Sequence, residues 1–131
     1  DLETPIASEF LQYLRRMGAR IVVLGAAEHD RLVAASSHVP QLASTALAAT
    51  LAGLYPEAAR VAGPGLRDST RLALSSYELW RDIVSTNTVA IEEVLSAYIQ
   101  KLEFLRENLR TRQLQDEFAQ AARFAQALRE D

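Results

Sequence analysis

Between Thr88 and Arg110, Ile91, Leu95, Tyr98, Leu102, Leu105 and Leu109 recur alternately four and three residues apart. That is a heptad seam, and Ala90, Val94, Ala97 and Phe104 widen it into a broad apolar face. A strand cannot use such a period, because its side chains change face at every residue. The spacing therefore predicts one long helix whose apolar surface exceeds what a single core requires. A second copy of the chain is the expected cover, giving a homodimer; a monomer with a central helix is the other reading. A last helix repeats the pattern with Leu114, Phe118, Ala121, Ala125 and Leu128.

Helical periodicity accounts for almost everything from Ala26 onward, so residues 26–131 are expected to form one all-α domain of several helices. Residues 27–38 read as one helix. Pro40 lacks a backbone donor and biases Val39 away from helical geometry, so a kink or break is expected there. Gln41 to Leu54 is apolar on nearly every side and rich in small residues, which suits a helix closely packed at the centre. Gly63-Pro64-Gly65 predicts a sharp turn, with Asp68 or Ser69 capping a helix that reaches Ser75. Ser75 and Glu78 have capping-box spacing for a helix bearing Trp80 and Ile83.

The first 25 residues read differently. Pro5 stands near a helix start, and Ile6, Phe10, Leu11, Leu14 and Met17 follow at helical spacing up to Gly18. The β-branched run from Arg20 to Leu24 then resembles a short strand, so residues 1–25 read as a helix-strand remnant of an α/β domain. A strand without its sheet is expected to be disordered or to pair with another chain.

The 131 residues are 49% hydrophobic, enough for a globular core. A formal net charge of -3 offers no basic surplus for tracking phosphates, which argues against nucleic acid. The longest apolar run, Ile21 to Ala27, falls far short of the roughly 20 residues of a membrane helix. The absence of cysteine excludes disulfides, thiolate metal sites and cysteine catalysis. A cytoplasmic location is the default expectation.

His29 and His38 are nine residues apart and would lie on opposite sides of a continuous helix, so no shared metal ion is expected. Ser37 and His38 are adjacent and cannot face each other as nucleophile and base. His29 and Asp30 stand at a helix start, where the carboxylate complements the helix dipole. His38, close to Pro40, reads either as a satisfied core histidine or as part of a polar pocket. Arg67 and Arg71 share a helical face beside the glycine turn, a corner that suits an anion, and Asp68 could hold the Arg71 guanidinium. A solvated surface pair is the alternative. Trp80 reads as a core anchor or a ligand contact.

Two blocks together resemble the C-terminal helical domain of the prephenate dehydrogenase family, which includes the arogenate dehydrogenases. The first is His29, Asp30, Ala34, Ser37, His38, Val39 and Pro40, with Val39 in place of the family's Leu and Gln41 where many members carry a second His. The second is Gly65, Leu66, Arg67, Asp68, Thr70, Arg71, Trp80 and Asn87, with Leu66 replacing the usual Phe. The resemblance covers the chain from about Gly25 to its end.

The resemblance implies a dimerisation and substrate-binding domain facing a nucleotide-binding domain, of which residues 1–25 would be the end. It further implies oxidative decarboxylation of a cyclohexadienyl carboxylate in tyrosine biosynthesis. A hydride passes to NAD or NADP, a histidine base takes the hydroxyl proton, and carbon dioxide leaves as the ring becomes aromatic. Both the cofactor site and the base are expected outside these residues, since no Gly-rich nucleotide loop occurs in them. No catalytic group and no metal ligand is assigned here, and the chain by itself is expected to be inactive. By the same resemblance Arg71 is the substrate-binding arginine, and His38, Gln41 and Trp80 are further substrate-binding residues. His29, Asp30, Gly65, Arg67 and Asp68 support them. Gln41 points toward arogenate or broad specificity. A non-catalytic helical module, or a dehydrogenase of an amino analogue of prephenate, are the competing readings.

Overall fold

The computed structural model describes residues 4–130, which fall into two compact units, one ending at Asp30 and one beginning at Arg31. In the first unit, helix α1 spans Pro5–Arg16. Thr4 caps it, its hydroxyl accepting from the Ala7 N–H at 3.2 Å, and Pro5 occupies the first turn, where an N–H has no helical partner. Gly18 ends it with φ 87°, the left-handed conformation that glycine adopts without steric cost. The Gly18 N–H then reaches the Arg15 carbonyl at 2.9 Å and the Ala19 N–H the Leu14 carbonyl at 3.1 Å, satisfying the last turn.

Residues 19–25 have no regular secondary structure. The strand expected from Arg20 to Leu24 has no ladder partner among the described residues, and Val22 and Val23 lie exposed. A strand exists only through hydrogen bonds to a neighbour, so β-branched composition alone cannot make one.

Helix α2 spans Ala26–Val33. In the second unit a π-helical turn, Ala34–His38, leads directly into α3, Val39–Leu54. The break expected at Pro40 thus takes the form of a widened turn. The Val39 N–H bonds to the carbonyl of Ala34, five residues back, which makes room for a proline that has no N–H and would crowd the carbonyl four residues before it.

A 3-10 turn, Pro56–Val61, connects to α4, Pro64–Thr70. Gly63 stands at the N-cap in an extended conformation (φ -88°, ψ -177°) and Pro64 opens the helix. Asp68 and Ser69 are therefore inside α4 and cap nothing, because Pro64 starts the helix earlier than the polar residues predict. Among the described residues Gly18 alone has a positive φ, so neither Gly63 nor Gly65 makes a left-handed turn.

A second 3-10 turn, Arg71–Leu74, precedes α5, Tyr77–Thr86. Its cap is Ser76, whose hydroxyl accepts from the Leu79 N–H at 3.4 Å, one residue beyond the predicted Ser75. Helix α6 spans Thr88–Glu107 and α7 Gln113–Ala127. The fold is all-α, as the periodicity requires.

Helix α3 is the hub of the second unit, packing against the π turn, both 3-10 turns, α4 and α6. The core is small: Ala34, Ala90 and Ile91 are buried, with Leu42, Val84 and Val94 packed around them. Ala34 is fully buried, so the π turn can approach α6 closely only because its side chain is a methyl group. The heptad seam divides along its length. Ile91 faces the core at 3% exposure, whereas Tyr98, Leu102 and Leu109 are 38%, 46% and 67% exposed. Lys101, the only lysine, bonds Glu117 of α7 at 2.8 Å and lies 5.1 Å from the centre of the Phe104 ring.

Candidate functional site

The π turn places His38 on the inner side of the second unit, 7% exposed. Its Nδ1 lies 3.3 Å from Nδ2 of Asn87, at the junction of α5 and α6. An amide nitrogen only donates, so in this pairing Nδ1 is the acceptor. Trp80 of α5 meets the same imidazole edge to face, with ring centres 6.0 Å apart and planes at 84°. The Trp80 Nε1–H is buried and has no hydrogen-bond partner among the described residues. Such a donor costs about 1–3 kcal/mol when left unmet, so it is the point of the site most in need of an acceptor.

Gln41 stands in the first turn of α3 and is 5% exposed. Its Nε2 donates to the Leu72 carbonyl at 2.9 Å and to the Thr45 hydroxyl at 3.3 Å. Thr45 in turn donates to the Gln41 carbonyl at 2.9 Å. Both amide hydrogens are thereby committed, and Oε1 is left as the end of the side chain that can accept from something else. Three residues further on, Ser44, also 5% exposed, accepts the Ala73 N–H on its hydroxyl at 3.2 Å. Two side chains on one face of α3 thus hold the 3-10 turn that begins at Arg71.

A cleft of about 450 Å³ opens beside this arrangement, with Gln41, Thr45, Trp80 and Arg81 among its walls. Arg81 chelates the neighbouring Asp82 through Nε (2.9 Å) and Nη2 (3.3 Å). Arg71 is exposed, and its guanidinium makes no ion pair among the described residues. The pair expected between Asp68 and Arg71 does not form: the bond linking these residues runs from the Arg71 N–H to the Asp68 carbonyl. Arg67 borders a separate, apolar cavity of about 320 Å³ with Leu51, Tyr55 and Leu66. Gly65 has open space where a Cβ would stand. His29 and Asp30, in the first unit, contact each other at 3.1 Å with both side chains more than half exposed.

His38, Gln41 and Trp80 therefore come together, with the turn bearing Arg71 hydrogen-bonded to the helix bearing Gln41. The sequence pattern points to no role for Ser44 or Arg81, and it marks Asn87 only as part of the second family block. Asn87 carries a legible signal, since an Asn between two helices reads as a cap, but its amide goes to His38 instead. Ser44 has none, being one of many small residues in α3. Among the described residues no three His, Asp or Glu side chains gather as metal ligands, and no helix is long and apolar enough to cross a membrane. No strand, Gly-rich loop and helix unit occurs among them either, so these residues do not fit a dinucleotide pyrophosphate.

The fold and the cleft define an all-helical domain that encloses a small polar and aromatic site and leaves part of its longest helix uncovered. Residues 25–124 match the family of the prephenate dehydrogenase dimerization domain, and the chain belongs to that family. It is 31% identical over 112 residues to the cyclohexadienyl dehydrogenase of Zymomonas mobilis, covering 81% of this chain and 38% of that protein. It is 32% identical over 96 residues to the prephenate dehydrogenase of Bacillus subtilis, covering 71% of this chain and 26% of the relative. The crystal structure of Synechocystis arogenate dehydrogenase superposes with a TM-score of 0.74 at 27% identity, covering 97% of this chain and 48% of that one. The chain spans less than half the length of each of these proteins.

Proposed function

We propose that this chain is the substrate-binding and dimer-forming part of an NAD(P)-dependent dehydrogenase acting on prephenate or arogenate, with residues 1–25 the end of its nucleotide-binding domain. The reading is supported above all by the bonds from Gln41 and Ser44 to the turn that begins at Arg71, which tie the backbone beside that arginine to the helix bearing Gln41, while His38 and Trp80 pack together. A ring acid with carboxylate groups needs such a combination: a fork of donors for a carboxylate, and flat apolar walls for the ring. Arg71 binds a carboxylate, Trp80 and His38 bound the ring, and Gln41 meets the substrate side chain.

The orientation of Gln41 bears on which acid is preferred. With Nε2 committed to Leu72 and Thr45, Oε1 offers an acceptor, which complements the ammonium of arogenate better than the keto group of prephenate. The chemistry of hydride transfer belongs to the nicotinamide and the base supplied elsewhere. This chain's contribution is to bind and orient the acid.

The exposed length of the α6 seam, together with Phe118 of α7 (69% exposed) and Leu128 just beyond it (66%), supports a homodimer as the working assembly. The decisive experiment is Arg71→Ala in the full-length dehydrogenase. Loss of a charged hydrogen bond of about 1.5–3 kcal/mol raises KM roughly tenfold to over a hundredfold while the dimer persists. An unchanged KM supports instead a helical module that keeps the dimer without the chemistry.

A further inference from the structure

We infer that Ser44 is a positioning residue for substrate binding, acting through the turn that presents Arg71; the inference rests on the carboxylate-binding reading of Arg71. A 3-10 turn is a weakly bonded element, and this one is four residues long. Its position is set by what its backbone bonds to outside itself. The two long-range bonds are from the Gln41 amide to the Leu72 carbonyl (2.9 Å) and from the Ala73 N–H to the Ser44 hydroxyl (3.2 Å). They engage one acceptor and one donor on the two residues that follow Arg71, and both come from buried side chains of α3.

Arg71 itself has no partner among the described residues that would aim its guanidinium, and the Asp68 carboxylate does not hold it. What the fold fixes for Arg71 is therefore the position of its backbone, from which the side chain reaches a ligand. Gln41 borders the cleft and would act on the ligand directly as well as on the turn, whereas Ser44 is not among the cleft walls and borders a separate cavity with Ser69 and Leu102. Ser44 spends its hydroxyl on the Ala73 N–H, so its influence on a ligand passes through the turn.

Replacing Ser44 with Ala leaves the Ala73 N–H without its acceptor and frees one of the two anchors. In the full-length dehydrogenase, Ser44→Ala is expected to raise KM for the acid it turns over about five- to tenfold with kcat changed less than about twofold, the pattern of a loosened binding group. Ser44→Thr, which keeps the hydroxyl, restores KM. In an Arg71→Ala background, Ser44→Ala adds no further rise, because the group it positions is gone.

Equal rises in both backgrounds, or no rise with Arg71 present, overturn the positioning role while leaving Arg71 as the carboxylate contact. No effect of Arg71→Ala by itself removes the substrate reading and this inference with it. Circular dichroism and sedimentation confirm that each variant folds and dimerises. If Ser44→Ala does not fold, Ser44→Cys, with a similar volume and a weaker acceptor, carries the same comparison at a smaller rise.

Discussion

Leu102→Ala tests the division of α6 into an inward and an outward half. Leu102 lies on the heptad seam and is 46% exposed, whereas Ile91, earlier on the same seam, is 3% exposed. Complete burial of a Leu side chain is worth about 1.5–3 kcal/mol, so covering the exposed near-half of Leu102 contributes roughly 1 kcal/mol per copy. A two-fold interface uses each such residue twice, giving about 2 kcal/mol per dimer. The cavity left by truncation adds roughly 1 kcal/mol, for a total of about 2–3 kcal/mol, or a thirtyfold to over a hundredfold weaker dimer. Sedimentation equilibrium over a wide concentration range measures this, with Glu103→Ala, on the exposed polar side of α6, as the control. A dimer constant unchanged by Leu102→Ala, or a wild-type chain that stays monomeric at high micromolar concentration, would refute the reasoning.

Ile91→Ala should destabilise the second unit by about 2–4 kcal/mol, lowering the thermal midpoint by many degrees at fixed protein concentration, since its side chain closes the small core against Ala34; a shift of only a degree or two would show that the core lies elsewhere. Gln41→His in the full-length dehydrogenase should move the ratio of catalytic efficiencies on arogenate and prephenate toward prephenate, because an imidazole supplies a donor where Oε1 now accepts. An unchanged ratio removes Gln41 as a specificity residue.

Much of this fold could be read along the chain. A period between three and four residues is a local property, and it located α1, α3, α5, α6 and α7 to within a few residues. Punctuation was legible only in part. Gly18 ends its helix as expected, but Pro64 opened α4 before Asp68 or Ser69 could cap it, and Ser76 took the place of Ser75. In each case several residues were competent for the same task, and the choice among them depended on how the backbone entered the helix.

His38, Gln41 and Trp80 stand out in the sequence through the family likeness, not through periodicity: spacing alone suits His38 to a packed core. The surroundings of these residues were not legible. Whether Asp68 holds the Arg71 guanidinium depends on side-chain directions that local rules leave open, and that pair does not form among the described residues.

What the sequence by itself determined is the kind of element at each place and the apolar stripe each helix must cover, because these follow from interactions within a few residues. The tertiary structure alone decided that the amide of Gln41 and the hydroxyl of Ser44 meet a turn about thirty residues away, and that Asn87 answers His38 instead of capping a helix. Such bonds satisfy buried polar groups, and which donor finds which acceptor is settled only when the helices that carry them have packed.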